Sequence, residues 1–224
     1  MGEQTPVIVG RIVSLQVGRP KAMKTPQGRA WTSAIVKAAV DGRVTLRSEN
    51  LDGDDQANRK YHGGPDKAVC AYPAEHFPEW RAEFDLPDMG AGAFGENFTV
   101  EGLTEEAVCL GDVFAVGTAV VQVSQPRMPC VNVARRWDRP KLPVRMEENG
   151  RTGYYLRVLT EGEVAAGDTL TLQERSHPDW TVLRANHTLY GDAATPAEIA
   201  ELRDLPGLTG EWRRALGRKL RKQI

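Results

Sequence analysis

The sequence predicts a mainly β fold, a small barrel edged by short peripheral helices, followed by a compact α-helical unit. Three observations carry this reading. Short apolar stretches separated by turn residues recur roughly ten times up to Leu172, a spacing that favours a barrel over a parallel sheet. Gly-Asp turns precede strand-like runs in Leu110-Gly111-Asp112-Val113-Phe114 and again in Ala166-Gly167-Asp168-Thr169-Leu170, an arrangement common in small barrels. Beyond Ser176 strand alternation gives way to helix punctuation, so the chain divides into a barrel domain at 1–175 and a helical domain at 176–224.

Taken in order, residues 7–15 (VIVGRIVSL) read as a strand with a bulge or bend at Gly10. Residues 33–40 and 43–46, joined by Asp41-Gly42, form the clearest predicted hairpin, because Asp-Gly tolerates the positive φ of a type I′ turn. The polar stretch 48–62 has little to bury and is expected as a surface loop. Residues 67–72 read as a strand, and 73–84 as an amphipathic helix that Pro78 kinks or splits in two. After the irregular, glycine-rich 86–95, strands are expected at 98–100, 113–116, 119–123, 154–159 and 169–172, with Gly117-Thr118 as a tight hairpin. In the last section, a helix over 179–190 can end at Gly191. Thr195-Pro196-Ala197-Glu198 is a capping box with proline at the first helical position, and Thr209 can open a final helix carrying Trp212, Leu216 and Leu220. Helices this short bury little alone, so they are expected to lean on the barrel or on a second subunit, a homodimer included.

The totals exclude several classes. With 224 residues, 41% apolar, 26% charged and a formal net charge of −1, the chain has no global field that would recruit nucleic acid or a membrane. Its 3 cysteines are widely spaced, which fits neither a disulfide framework nor a CxxC metal site. The N-terminus lacks a basic region followed by an apolar core, and no apolar run approaches a membrane span. The expectation is a cytoplasmic protein.

The stretch Gln125-Pro126-Arg127-Met128-Pro129-Cys130 is the most informative. It leaves an apolar strand, and its two prolines stiffen the backbone on either side of one arginine, ahead of one cysteine. A guanidinium beside a thiol favours the thiolate, the form that attacks electrophiles or binds metal. The same residues are compatible with a buried cysteine that only fills space. A second stretch, Tyr61-His62-Gly63-Gly64-Pro65-Asp66-Lys67, lets backbone amides approach a ligand and brackets them with His62 and Lys67, so it can cradle an anion, or it can be a polar turn. Gly90 to Gly95 spells G-x-G-x-x-G but neither follows a buried strand nor opens a helix, so a dinucleotide site is rejected; Gly95-Glu96-Asn97 remains as a turn with one carboxylate and one amide. His62, Cys70 and His76 match no zinc spacing. The terminal cations Arg213, Arg214, Arg218, Lys219, Arg221 and Lys222 lack interleaved aromatics and read as a solvated helix end.

Together, His62 to Val69 (HGGPDKAV), Phe94-Gly95-Glu96-Asn97, Leu110-Gly111-Asp112 and the hexapeptide at 125–130 resemble the MOSC-domain family, specifically its YiiM-like group with a C-terminal three-helix domain. The resemblance implies a strand-rich barrel that binds a pterin-based molybdenum cofactor and reduces N-hydroxylated compounds such as hydroxylated purines and hydroxylamines. It implies that Cys130 is the protein thiolate on molybdenum and that Arg127 stabilises that thiolate by charge, while Met128 has no role. Cofactor contacts are then expected from His62, Gly63, Gly64, Asp66 and Lys67, from Glu96 and Asn97, and, as phosphate contacts, from Arg59 and Arg157. No flavin, haem or nicotinamide motif is visible, so electrons are expected from a separate reductase. Two rivals stay open. One is a sulfur carrier that holds a persulfide on Cys130, and the other is a non-catalytic module for assembly or nucleic-acid contact.

Overall fold

The computed structural model describes residues 8–223. The first residue of the first predicted strand and the N-terminal stretch read for a signal sequence lie outside them. The barrel section contains β1 (Val9–Val17), β2 (Lys21–Lys24), β3 (Ala30–Ser33), β4 (Ala38–Ala39), β5 (Val44–Leu46), α1 (Arg59–His62), β6 (Val69–Pro73), α2 (Phe77–Phe84) and β7 (Phe98–Glu101). It continues through β8 (Val113–Val116), β9 (Ala119–Pro126), α3 (Val131–Trp137), α4 (Leu142–Asn149), β10 (Tyr154–Thr160), β11 (Gly162–Val164) and β12 (Thr169–Glu174). Then come α5 (Val182–Tyr190), α6 (Pro196–Asp204) and α7 (Gly210–Gln223). No helix among the described residues is long and apolar enough to cross a membrane.

Seven strands close on themselves in the order β12, β8, β9, β10, β6, β7, β1 and back to β12. Every neighbouring pair in the ring is antiparallel except β6 and β7. Alternation places one face of each strand inside, and Ile12, Leu15, Val100, Phe114, Val121 and Leu170 are among the residues that fill the barrel. A second apolar cluster forms outside it, where Tyr72, Phe77, Trp80, Phe94, Leu142 and Met146 pack beneath α2, α3 and α4. Trp180, just ahead of α5, and Ile199, Leu202, Trp212 and Leu216 from the C-terminal helices join the same continuous core as the barrel. The capping box at Thr195 forms in both directions, and Thr181 caps α5 by accepting from the Arg184 N–H.

Several local expectations are corrected. Asp41-Gly42 does turn, with Gly42 at φ 87°, but the two arms part company. Ala38–Ala39 pairs with β1, and Val44–Leu46 pairs with β11, because burying Val44 and Leu46 in the core selects a distant partner over the local one. The register shift in β1 falls between Ile12 and Ser14 instead of at Gly10. The stretch 48–62 is no simple surface loop: Leu51 is 1% exposed, Asp54 is buried, and Arg59–His62 is a helical turn. The stretch 73–84 does form two pieces, a single 3-10 turn at Ala74–His76 and α2, with Pro78 in the first turn of α2, where its missing N–H leaves no bond unmade. The ribbon of β2 with β3 and the helices α3 and α4 had no counterpart in the sequence reading.

Candidate functional site

A cleft of about 350 Å³ opens where β9 hands over to α3, and Cys130, Arg127, His62, Lys67, Cys70 and Tyr155 all line it. Cys70 and Tyr155 are direct register partners on β6 and β10, so their side chains share one face. Beyond Pro126 the ladder with β10 continues by one bond, from the Arg127 N–H to the Gly153 carbonyl at 3.0 Å, which sets the position of the arginine. Cys130 follows in extended conformation as the N-cap of α3, and it is half-buried. The histidine-glycine stretch and the cysteine loop, far apart in sequence, therefore meet at one opening.

Arg127 is 6% exposed. Its Nη2 donates to the Phe94 carbonyl at 2.7 Å and its Nη1 to the Cys70 sulfur at 3.7 Å, and among the described residues it has no carboxylate partner. Burial works against its charge, but coupling to the ionisable neighbours Cys70, Tyr155, Cys130 and Glu96 outweighs that penalty and raises its pKa. The thiol that Arg127 hydrogen-bonds is thus Cys70, where the sequence pointed to Cys130. Burial pushes the Cys70 thiol up, and Arg127 offsets part of the shift. His62 is shifted down, by burial first and then by Arg127 and Lys67, with Glu211 acting in the opposite sense. The Lys67 ammonium donates to the Tyr61 carbonyl at 2.6 Å, pairs with Glu211 at 2.6 Å and rides 5.5 Å from the centre of the Tyr155 ring.

The other residues marked from sequence are engaged elsewhere. Gly63 and Gly64 serve the backbone: the Gly63 N–H closes α1 on the Arg59 carbonyl, and Gly64 precedes the 3-10 turn Pro65–Lys67 at φ 92°. Neither they nor Asp66, Arg59, Arg157 and Glu96 line the cleft. Asp66 pairs with Arg157 at 2.9 Å, and Arg157 also donates to Gln122 Oε1 at 3.1 Å and to the Gly207 carbonyl at 2.8 Å, clasping the helical unit to the barrel. Arg59 pairs with Asp55 on the surface at 3.0 Å. Glu96 is fully buried and accepts from the Gly92 N–H, the Phe94 N–H and the Thr99 hydroxyl, which folds the turn ahead of β7. Within that turn Gly95 lines the cleft at φ 76°, where a Cβ would stand 2.7 Å from Ile35 Cγ1. Asn97 does line the cleft, but both ends of its amide are taken. Its Oδ1 accepts from the Cys70 N–H, and its Nδ2 donates to the Gln16 carbonyl and to Asp54.

The structure adds groups that sequence reasoning missed. Lys37 and Asp54 form an ion pair in the cleft wall, with side chains only 6% and 1% exposed. Asp54 also accepts from the Gly18 N–H at 2.7 Å. Arg135, from α3, donates to Asn132 and lies 5.7 Å from the centre of the Trp31 ring. Asp54 sits in an acidic run that looks solvated, and no local spacing ties it to Asn97 or Lys37. Arg135 belongs to a helix that lacks a capping side chain.

The MOSC domain family matches residues 58–171, and the YiiM-like, 3-alpha helix domain family matches residues 180–223. The uncharacterized protein YflK of Bacillus subtilis is 43% identical over 208 residues, 93% of each chain. A protein of Gibberella moniliformis described as a reductase is 37% identical over 199 residues, which is 87% of this chain and 35% of that protein. The crystal structure of YiiM from Geobacillus stearothermophilus superposes with a TM-score of 0.78 at 38% identity, covering 94% of this chain and 99% of that one.

Proposed function

The chain belongs to the MOSC domain family, in its YiiM-like group, and on that premise we propose that it is a molybdenum-cofactor oxidoreductase that reduces N-hydroxylated compounds. The observation that carries the proposal is the half-buried Cys130 sulfur in a cleft shared with His62, Lys67 and an Arg127 free of any carboxylate among the described residues. That donor set fits the group. A single soft thiolate suits a redox transition metal that arrives with its other ligands, and a buried guanidinium suits the anionic and carbonyl edges of a phosphorylated pterin. Cys130 would hold the metal, with Arg127, Lys37 and Arg135 around the rest of the cofactor. Bound there, the cofactor supplies the two-electron redox chemistry.

The residues of this chain do the rest. Two electrons and two protons convert an N–OH group to N–H plus water. Tyr155 and the backbone around Gly95 shape the wall against which the substrate is oriented. His62 is neutral near pH 7 because its pKa is shifted down, so it offers one acceptor and one donor nitrogen to a polar ligand. Electrons come from a separate protein.

The test is metal and pterin analysis of the chain purified from a host that makes the cofactor. Stoichiometric molybdenum is expected in the wild type and loss of metal in Cys130→Ala, with thermal melts showing that the variant is folded. A persulfide mass on Cys130 with no metal would overturn the reductase reading in favour of a sulfur carrier.

A further inference from the structure

The first turn of α7 reaches the cleft loop through three contacts. Thr209 Oγ1 donates to Gln125 Oε1 at 2.6 Å, Trp212 Nε1 donates to the Pro126 carbonyl at 2.9 Å, and Gln125 Nε2 lies 3.4 Å from Glu211 Oε2. Glu211 is thereby held against Lys67 at 2.6 Å. An ammonium has three N–H donors. One goes to the Tyr61 carbonyl and one faces Glu211, while the whole group sits against the Tyr155 ring. Lys67 is 11% exposed at its side chain and Glu211 32%, so the carboxylate can swing toward solvent while the lysine stays in place.

We infer that Glu211 is a charge gate on the cleft: an incoming phosphate group must displace it from Lys67 before the lysine can bind that anion. The helical unit would then be part of the ligand site, contributing a specificity-determining carboxylate that a barrel alone lacks. An anion entering without displacing Glu211 would meet a neutralised ion pair, whereas one that displaces it gains a desolvated, positively charged partner. Neutral ligands are unaffected by the gate, so Glu211 discriminates by charge. This inference rests on the reading of the cleft as the ligand site.

The experiment uses cofactor-free full chain and inorganic phosphate as the probe, with binding followed by calorimetry and by the His62 ring proton signals in NMR. Glu211→Gln is expected to tighten phosphate binding about fivefold, the equivalent of an ion pair worth about 1 kcal/mol. It should also move the His62 titration to lower pH, since Glu211 opposes the downward pull of Arg127 and Lys67. Lys67→Gln should abolish the gain, and the double variant should bind no better than Lys67→Gln alone. Glu163→Gln, a carboxylate outside the cleft, should change neither quantity. A contact that only staples the helical unit in place would lower the melting temperature and leave phosphate binding unchanged. The inference is overturned if Glu211→Gln leaves phosphate binding unchanged, or if it gives the same gain in the Lys67→Gln background. Repeating the titration on cofactor-loaded protein separates the sources of the phosphate. Loss of the response assigns the gate to the cofactor's own phosphate, and a retained response assigns it to a phosphate on the substrate. Absence of molybdenum from the purified chain would sink the cofactor reading and leave this phosphate test intact.

Discussion

His62 is half-buried in the cleft wall, where the charges of Arg127 and Lys67 act against its protonation and Glu211 opposes them, so protonation would add a third cation to the cleft. Its ordinary pKa is 6.5, and the folded value lies below that. As pH falls below 6.5, unfolded chains take up a proton that folded chains still refuse, so stability declines toward the folded pKa and is fully retained above the unfolded one. Replacing His62 by Gln should flatten that acid limb and leave stability at pH about 8 nearly unchanged. Melting temperatures across the range check this; parallel profiles for variant and wild type would refute it. The other histidines are common to both proteins and cancel in the difference.

Between elements, the joint that matters most is Asp54. It ties the loop after β1, through the Gly18 N–H, to Lys37 beside β4 and to Asn97 ahead of β7. Asp54→Asn keeps the size and an acceptor but strands a buried ammonium, and the expected loss is about 3–5 kcal/mol, read from the urea midpoint. A loss below about 1 kcal/mol would mean that Lys37 finds water instead. This joint also marks where sequence reading stops. Strands such as β9 are legible because alternation is local, and α6 because Thr195 and Glu198 sit three apart. The loop at 125–130 is legible because its prolines act on their own neighbours. Asp54, Lys37 and Asn97 meet only after closure of the barrel, and nothing within a few residues of any of them records it. Helix α3 was missed for a related reason: its first turn is β-branched at Val131 and Val133 and its N-cap is Cys130, so its helicity comes from packing Val133 beside Phe94 and Leu142. Arg157 and Asp66 were legible as charges but not as partners, since the carbonyl at Gly207 that completes their clasp belongs to another part of the chain.

At the scale of the molecule, barrel and helices share one apolar core, with Trp212 fully buried in it and bonded to the Pro126 carbonyl. Trp212→Ala should therefore cost about 3–5 kcal/mol and lower one common transition. Circular dichroism and tryptophan fluorescence should agree on one midpoint in the wild type and on one lower midpoint in the variant, and two separated transitions would show that the helical unit unfolds by itself. The ring closes by pairing Val9 with Thr171 and Arg11 with Thr169, residues from opposite ends of the barrel section. During synthesis β1 can find β7 early, and β4 covers the Gln16–Val17 end of its other edge, but the Val9–Arg11 end of that edge has no mate until β12 has cleared the ribosome exit. For most of its translation the nascent chain thus carries an open strand edge, the feature that recruits holdase chaperones and seeds inclusion bodies, and slowing elongation late in the message should lengthen that exposure and lower the soluble yield.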